Sequence, residues 1–149
     1  MTIYADPSFL VSLLYVHDAG HAAAAAVYGR HPADEWQTSE WSRFETVNSL
    51  RQLCRKYPTL KPEIPEALRR YFKQLHRRGT FIEVETDLEQ GLQECQQLSA
   101  AHSAALTMRS ADVLHVALLD QIQPDLFVTR DAHQSTLAGR RGFRLQLVP

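Results

Sequence analysis

The chain has 149 residues, enough for one domain with a sizeable core and too few for two. Its 44% hydrophobic and 9% aromatic content suits a packed interior and excludes a disordered chain. Sixteen Lys and Arg against seventeen Asp and Glu leave a formal net charge of −1, which excludes a protein that coats nucleic acid through bulk positive charge but leaves room for two opposed patches. The two cysteines, Cys54 and Cys95, lie far apart with no CxxC, which excludes a disulfide scaffold and a thiolate zinc site and fits a reducing compartment. The first residues, Met1 to Asp6, lack the basic and apolar regions of a signal peptide. The longest mostly apolar run, Ala22 to Tyr28, is too short for a membrane span. The expected protein is soluble and cytoplasmic, with no membrane partner.

In chain order, Thr2–Ala5 reads as a strand, and Pro7–Tyr15 and Ala19–Arg30 as helices. Glu35–Thr38 reads as a weak strand before a helix from Ser39 to about Tyr57, which Pro58, Pro62 and Pro65 terminate. A helix is expected from about Pro65 to Arg78, ended by Gly79, then a strand at Thr80–Val84. Helices follow from Asp87 to about Ala105 and over Ser110–Gln121, then a short strand at Leu126–Val128, a helix at Ala132–Ala138 and a last strand at Phe143–Val148. Strands separated by helices of this length imply crossover connections, hence a mainly parallel sheet with helices on both faces: an α/β domain spanning residues 1–149. Ligands of such sheets sit beyond the C-terminal ends of the strands, so chemistry is sought just after Ala5, Thr38, Val84 and Val128.

Four acids stand out. Asp6 directly follows the first strand, and with Pro7 behind it also makes a standard helix start. Asp131 closes the Leu126–Val128 strand region and would equally cap the next helix. Asp112 sits in Ala111–Leu119, where only it and His115 are polar. A helix apolar on every side is buried, and a buried carboxylate needs a partner, a metal or a shifted pKa. The helix dipole offers only about 0.3–1 kcal/mol, too little to offset that burial. His115 shares a face with Asp112 and reads as a core histidine bonded to a backbone carbonyl. Glu45, among Trp41, Phe44 and Val47, reads by itself as an exposed helix glutamate. Together, four carboxylates in an α/β domain suit a hard cation such as Mg²⁺ or Mn²⁺, which takes oxygen ligands and keeps several waters. His17 and His21 are spaced for one helix face, but no third ligand accompanies them.

The segments carrying these acids resemble the motifs of PIN domains. Ile3-Tyr4-Ala5-Asp6-Pro7-Ser8-Phe9-Leu10 resembles the opening strand, acid, hydroxyl and helix. Thr38-Ser39-Glu40-Trp41-Ser42-Arg43-Phe44-Glu45 resembles the second motif, with its helical Glu. Arg109 to Ala117 resembles the third, an acid in a helix of small and apolar residues, and Phe127-Val128-Thr129-Arg130-Asp131 the fourth, a strand ending in Thr-x-Asp. All four occur in the family order and cover essentially the whole chain. The length points within the family to the toxins of VapC-type toxin–antitoxin pairs.

This resemblance implies a three-layer α/β/α sandwich and a Mg²⁺- or Mn²⁺-dependent ribonuclease. It makes Asp6, Glu45, Asp112 and Asp131 the catalytic acids, with Asp6, Asp112 and Asp131 on the metal. Ser8 and Thr129 would support the site by hydrogen bonds. It further implies an RNA substrate, a small cognate antitoxin and a homodimer. His133 stands where many relatives carry a further acid, which leaves one firmly held metal position, and Pro7 is a less usual choice in the first motif. The other reading of the resemblance is a nuclease-inactive RNA-binding or scaffold domain, against which all four acids are present. The haloacid dehalogenase Asp-x-Asp is missing, since Asp6-Pro7-Ser8 stands there, and no glycine-rich phosphate loop supports nucleotide use.

Residues 51–78 hold nine Lys and Arg against Glu63 and Glu66. Within them Arg69, Arg70, Lys73, Arg77 and Arg78, interleaved with Tyr71 and Phe72, are candidate contacts to RNA phosphates. The competing reading is a solvated helix face with the aromatics packed inward.

Overall fold

The computed structural model describes residues 1–149. The chain runs β1 (Thr2–Ala5), α1 (Pro7–Leu14), α2 (His21–Gly29), β2 (Glu35–Ser39), α3 (Glu40–Arg51), α4 (Leu53–Lys56), α5 (Glu63–Arg77), β3 (Ile82–Val84), α6 (Leu88–His102), α7 (Ser110–Ile122), β4 (Leu126–Thr129), α8 (Ala132–Arg140) and β5 (Leu145–Leu147). The five strands form one sheet in the order β3-β2-β1-β4-β5, and every neighbouring pair is parallel. The α/β expectation therefore holds, with a wholly parallel sheet.

Strand alternation builds the layers. Ile3 and Ala5 of β1, with Leu126 and Val128 of β4, enter one buried cluster together with Phe9, Leu10, Ala24, Leu50, Leu53 and Phe72 from α1 to α5. Tyr4 and Phe127 point the other way and pack with Leu98, Val113, Val116, Leu119, Leu137 and Ala138 from α6, α7 and α8. The result is an α/β/α sandwich with two cores divided by the sheet. After β1 the chain steps outward to β2 and β3, then returns to the opposite side of β1 for β4 and β5. The strand order thus reverses between β1 and β4, the place where such sheets open a crevice at their carboxyl ends. Asp6 ends β1 there, and Thr129-Arg130-Asp131 end β4.

The expected helix Ser39–Tyr57 is two helices. Gln52 closes α3 and opens α4, and its N–H bonds back to Asn48 and Ser49. Neither Gly nor Pro marks this break, and Leu50 and Leu53 on its two sides both reach the first core. Helix α5 starts at Glu63 rather than Pro65, because a proline in the first turn forfeits no intrahelical bond. The outer strands β3 and β5 pair over three residues each, shorter than the Thr80–Val84 and Phe143–Val148 expected, although Phe81 and Val148 beside them are buried. No helix is long and apolar enough to cross a membrane.

Candidate active site

The ends of β1 and β4 are stitched together by hydroxyls. The Asp6 N–H donates to the Val128 carbonyl at 3.0 Å. Thr129 Oγ1 donates to Asp6 Oδ2 at 3.1 Å and accepts from the Asp131 N–H at 2.9 Å. Ser8 Oγ donates to the same Asp6 oxygen and accepts the Arg130 N–H at 2.9 Å. The Ser8 N–H adds a bond to Asp6 Oδ2 at 2.9 Å, so this oxygen caps α1. Asp6 is 1% exposed, and its other oxygen, Oδ1, is buried with no hydrogen-bond partner. Burial pushes its carboxyl above the ordinary value, partly opposed by the nearby His115 and the bonds from Ser8 and Thr129.

Asp131 has the same division of labour. Its Oδ1 accepts the His133 and Gln134 N–H groups at 2.7 and 3.1 Å and caps α8. Helix α3 is anchored to the same place by Ser42, whose Oγ donates to the Ala5 carbonyl at 3.0 Å. Ser39 caps α3 by accepting the Ser42 N–H at 3.1 Å and bonds the Tyr4 hydroxyl at 2.7 Å. Burial raises the Tyr4 phenol above its usual value, so it stays neutral. These bonds aim Glu45, on the second turn of α3, at the end of β1.

Glu45 is not the free surface glutamate its surroundings in sequence suggest. Its Oε2 bonds His115 Nε2, and its side chain is 26% exposed. His115 is fully buried and also lies 4.0 Å from Asp6 Oδ1. The expectation that a backbone carbonyl satisfies His115 is therefore corrected. Its Nε2 faces the acids from α7, and its Nδ1 has no partner. Asp112, 6% exposed, accepts the Arg109 N–H at 3.2 Å and Gln134 Nε2 at 3.3 Å. This buried carboxylate thus finds two protein donors.

Asp6, Glu45 and Asp131 line one polar cleft of about 600 Å³, together with Ser8, Arg130 and Gln134. Asp112 is not among the lining residues but touches the cleft through Gln134. The five basic candidates of residues 69–78 stand elsewhere. Arg69 and Arg70 are paired with Glu66, and Arg69, Lys73 and Arg77 line a separate groove with Arg43, Phe72 and Glu83. Tyr71 remains 49% exposed, whereas Phe72 is buried.

No family model matches the chain, and no curated protein matches it. Solved structures do. VapC20 of Mycobacterium tuberculosis, described as a sarcin–ricin loop cleaving toxin, superposes with a TM-score of 0.70 at 18% identity, over 99% of each chain. The fold is that of the VapC toxins. VapBC2 from Rickettsia felis, bound to a DNA fragment from its promoter, gives 0.66 at 11% identity over 100% of both chains. FitAcB from Neisseria gonorrhoeae gives 0.66 at 13% identity over 96% of this chain and 95% of that one.

In this VapC-like fold the cleft has a basic side that the sequence disclosed only in part, through Arg55 and Lys56 of the basic stretch 51–78. Arg55, Lys56, Arg109 and Arg130 line it, and so does Asp18. Arg130 was visible only as the variable position of Thr-x-Asp, and Asp18 only as a residue between His17 and the next helix. A polar Ser12-x5-Asp18 pair within an apolar stretch is the one local signal that existed.

Proposed function

We propose that the chain is a metal-dependent ribonuclease and the toxin of a toxin–antitoxin pair. The observation that carries this is Asp6 Oδ1: a buried, unpartnered carboxylate oxygen at the strand-order reversal, in a cleft shared with Glu45 and Asp131. An orphaned buried carboxylate oxygen is costly unless a cation or proton answers it.

The donor set fits a hard divalent cation. Asp6, Asp112 and Asp131 are all oxygen donors, and Mg²⁺ or Mn²⁺ prefers these. No three His, Cys, Asp or Glu side chains are grouped closely enough to hold an ion, so the fit rests on the oxygen chemistry of these acids and on the unpartnered Asp6 Oδ1. When bound, the cation would ease the ionisation of water and offset charge on a phosphodiester.

The chain's own groups do the rest. Ser8 and Thr129 fix Asp6 Oδ2, which leaves Oδ1 aimed away from the cap. His115 holds Oε2 of Glu45, and Oε1 remains to accept a hydrogen bond from water in the cleft and orient it toward phosphorus. RNA is the substrate the sequence resemblance implies, and the VapBC2 and FitAcB likenesses support a small cognate antitoxin as partner.

Purified protein is tested for RNA cleavage with Mg²⁺ and with EDTA. Asp6→Asn and Asp112→Asn should each lower the rate at least about 100-fold, since even outer partners of a metal site cost about 10–100-fold. Mg²⁺ should raise the melting temperature of the wild type and not of Asp6→Asn, because only a ligand that binds the folded state stabilises it. Full activity in EDTA or in both Asn variants overturns the reading. Co-expression with the product of the adjacent reading frame tests the antitoxin.

A further inference from the structure

The basic side of the cleft is built around one buried acid. Asp18, in the turn between α1 and α2, is 6% exposed. Its Oδ1 accepts from the Gly20 N–H at 3.0 Å, Ser12 Oγ at 2.8 Å and Arg130 Nη1 at 2.9 Å. Its Oδ2 accepts from Lys56 Nζ at 3.2 Å and the Tyr57 hydroxyl at 3.3 Å. One carboxylate so gathers two cations from distant parts of the chain.

Both cations keep donors in reserve. Arg130 spends Nε on the Pro149 carbonyl at 3.1 Å and Nη1 on Ser12 Oγ and Asp18, and Nη2 makes no hydrogen bond. Lys56 gives one of its three ammonium donors to Asp18, and its side chain is 63% exposed. The guanidinium lies directly against Gly20, where a Cβ would fall 2.1 Å from Arg130 Cζ. A side chain at residue 20 would therefore displace the Arg130 guanidinium, the far end of a flexible side chain, without straining the backbone. Ser12, Asp18, Lys56 and Arg130 all line the cleft that holds Asp6, Glu45 and Asp131.

The geometry points to a phosphate clamp: Arg130 Nη2 and Lys56 Nζ hold a phosphodiester of single-stranded RNA beside the acids, and Asp18 is the residue that positions them. RNA as the ligand rests on the ribonuclease reading. The clamp makes a prediction opposite in sign to bulk electrostatics. Removing the negative charge of Asp18 should strengthen RNA binding if charge alone matters, and weaken it if Asp18 positions the two cations.

The probe is a fluorescein-labelled random-sequence RNA of about 12 nucleotides, its binding followed by anisotropy in EDTA between about 50 and 200 mM salt. Lys56→Gln and Arg130→Gln should each weaken binding about tenfold and reduce the salt slope by about 0.7, the value of one lost phosphate contact on a single strand. Gly20→Ala keeps both charges but displaces Arg130, and should also weaken binding. Asp18→Asn should weaken it rather than tighten it. If Asp18→Asn does not fold, the exposed Lys56 and the Gly20→Ala variant decide the matter.

No salt-dependent binding by the wild type, an unchanged slope in Lys56→Gln, or tighter binding by Asp18→Asn overturns the clamp. Cleavage is read separately with Mg²⁺. Absence of cleavage with this binding pattern intact removes the ribonuclease reading alone, and cleavage with unchanged slopes removes the clamp alone.

Discussion

At Asp6 and Asp131, one carboxylate oxygen caps a helix and the other takes no protein hydrogen bond. In sequence, capping and chemistry are rival explanations of an acid after a strand; the structure lets both hold, because a carboxylate has two oxygens. Asp18 makes a prediction of its own. Burial alone would raise its carboxyl, but the Gly20 N–H, the Ser12 hydroxyl and Lys56 outweigh that and hold it well below the ordinary value of 3.8. A depressed folded-state value contributes stability that is present above 3.8 and is lost as pH falls below it. Asp18→Asn should therefore lower the melting temperature by about 4–8 °C near neutral pH, for a loss of about 2 kcal/mol. The gap to the wild type should shrink in melts taken at progressively lower acid pH. An equal gap throughout would remove the ionised carboxylate as its cause. Asp18 and Arg130 were not legible as members of the cleft, nor His115 as the partner of Glu45, since their bonds span 112 and 70 residues and no local spacing encodes them.

Among the elements, α6 and α7 approach closely at Gly91, where a Cβ would lie 2.9 Å from Leu118 Cδ2 and 3.3 Å from Leu114 Cδ1. Gly91→Leu should force the helices apart and cost about 1–3 kcal/mol, at about 2–4 °C of melting temperature per kcal/mol. A melt unchanged by that substitution would show that the contact yields freely. Most elements were legible because their signals are local. Alternation marks β1 and β4, Asp and Ser mark the starts of α1, α3 and α8, and Gly79 with φ 71° follows the end of α5. The break at Gln52 was not legible, because packing rather than a breaker residue ends α3 there.

Over the whole molecule, the net charge of −1 resolves into distinct regions. The acidic cleft carries its own cations, Arg55, Lys56, Arg109 and Arg130, while Lys73 and Arg77 of α5 line a groove apart from it. Two of the α5 cations are already engaged, since Arg69 and Arg70 grip Glu66 and hold its carboxyl down at about 2. Under the proposed function, α5 acts on RNA at a distance. The double substitution Lys73→Glu with Arg77→Glu should lower kcat/KM for RNA about 3–10-fold at low salt, with the gap closing as salt screens the field. A difference independent of salt would count against such steering.

The alternation along β1 also ties folding fidelity to the cleft. Ile3 and Ala5 face one core, Tyr4 the other, and Asp6 follows in the same sequence of turns. A slip of one residue against β4 would exchange the occupants of the two cores and at the same stroke carry the Asp6 carboxylate away from Thr129. A misregistered molecule thus loses its packing and the arrangement of the cleft together, and under the proposed function faulty copies of this chain would be inert copies.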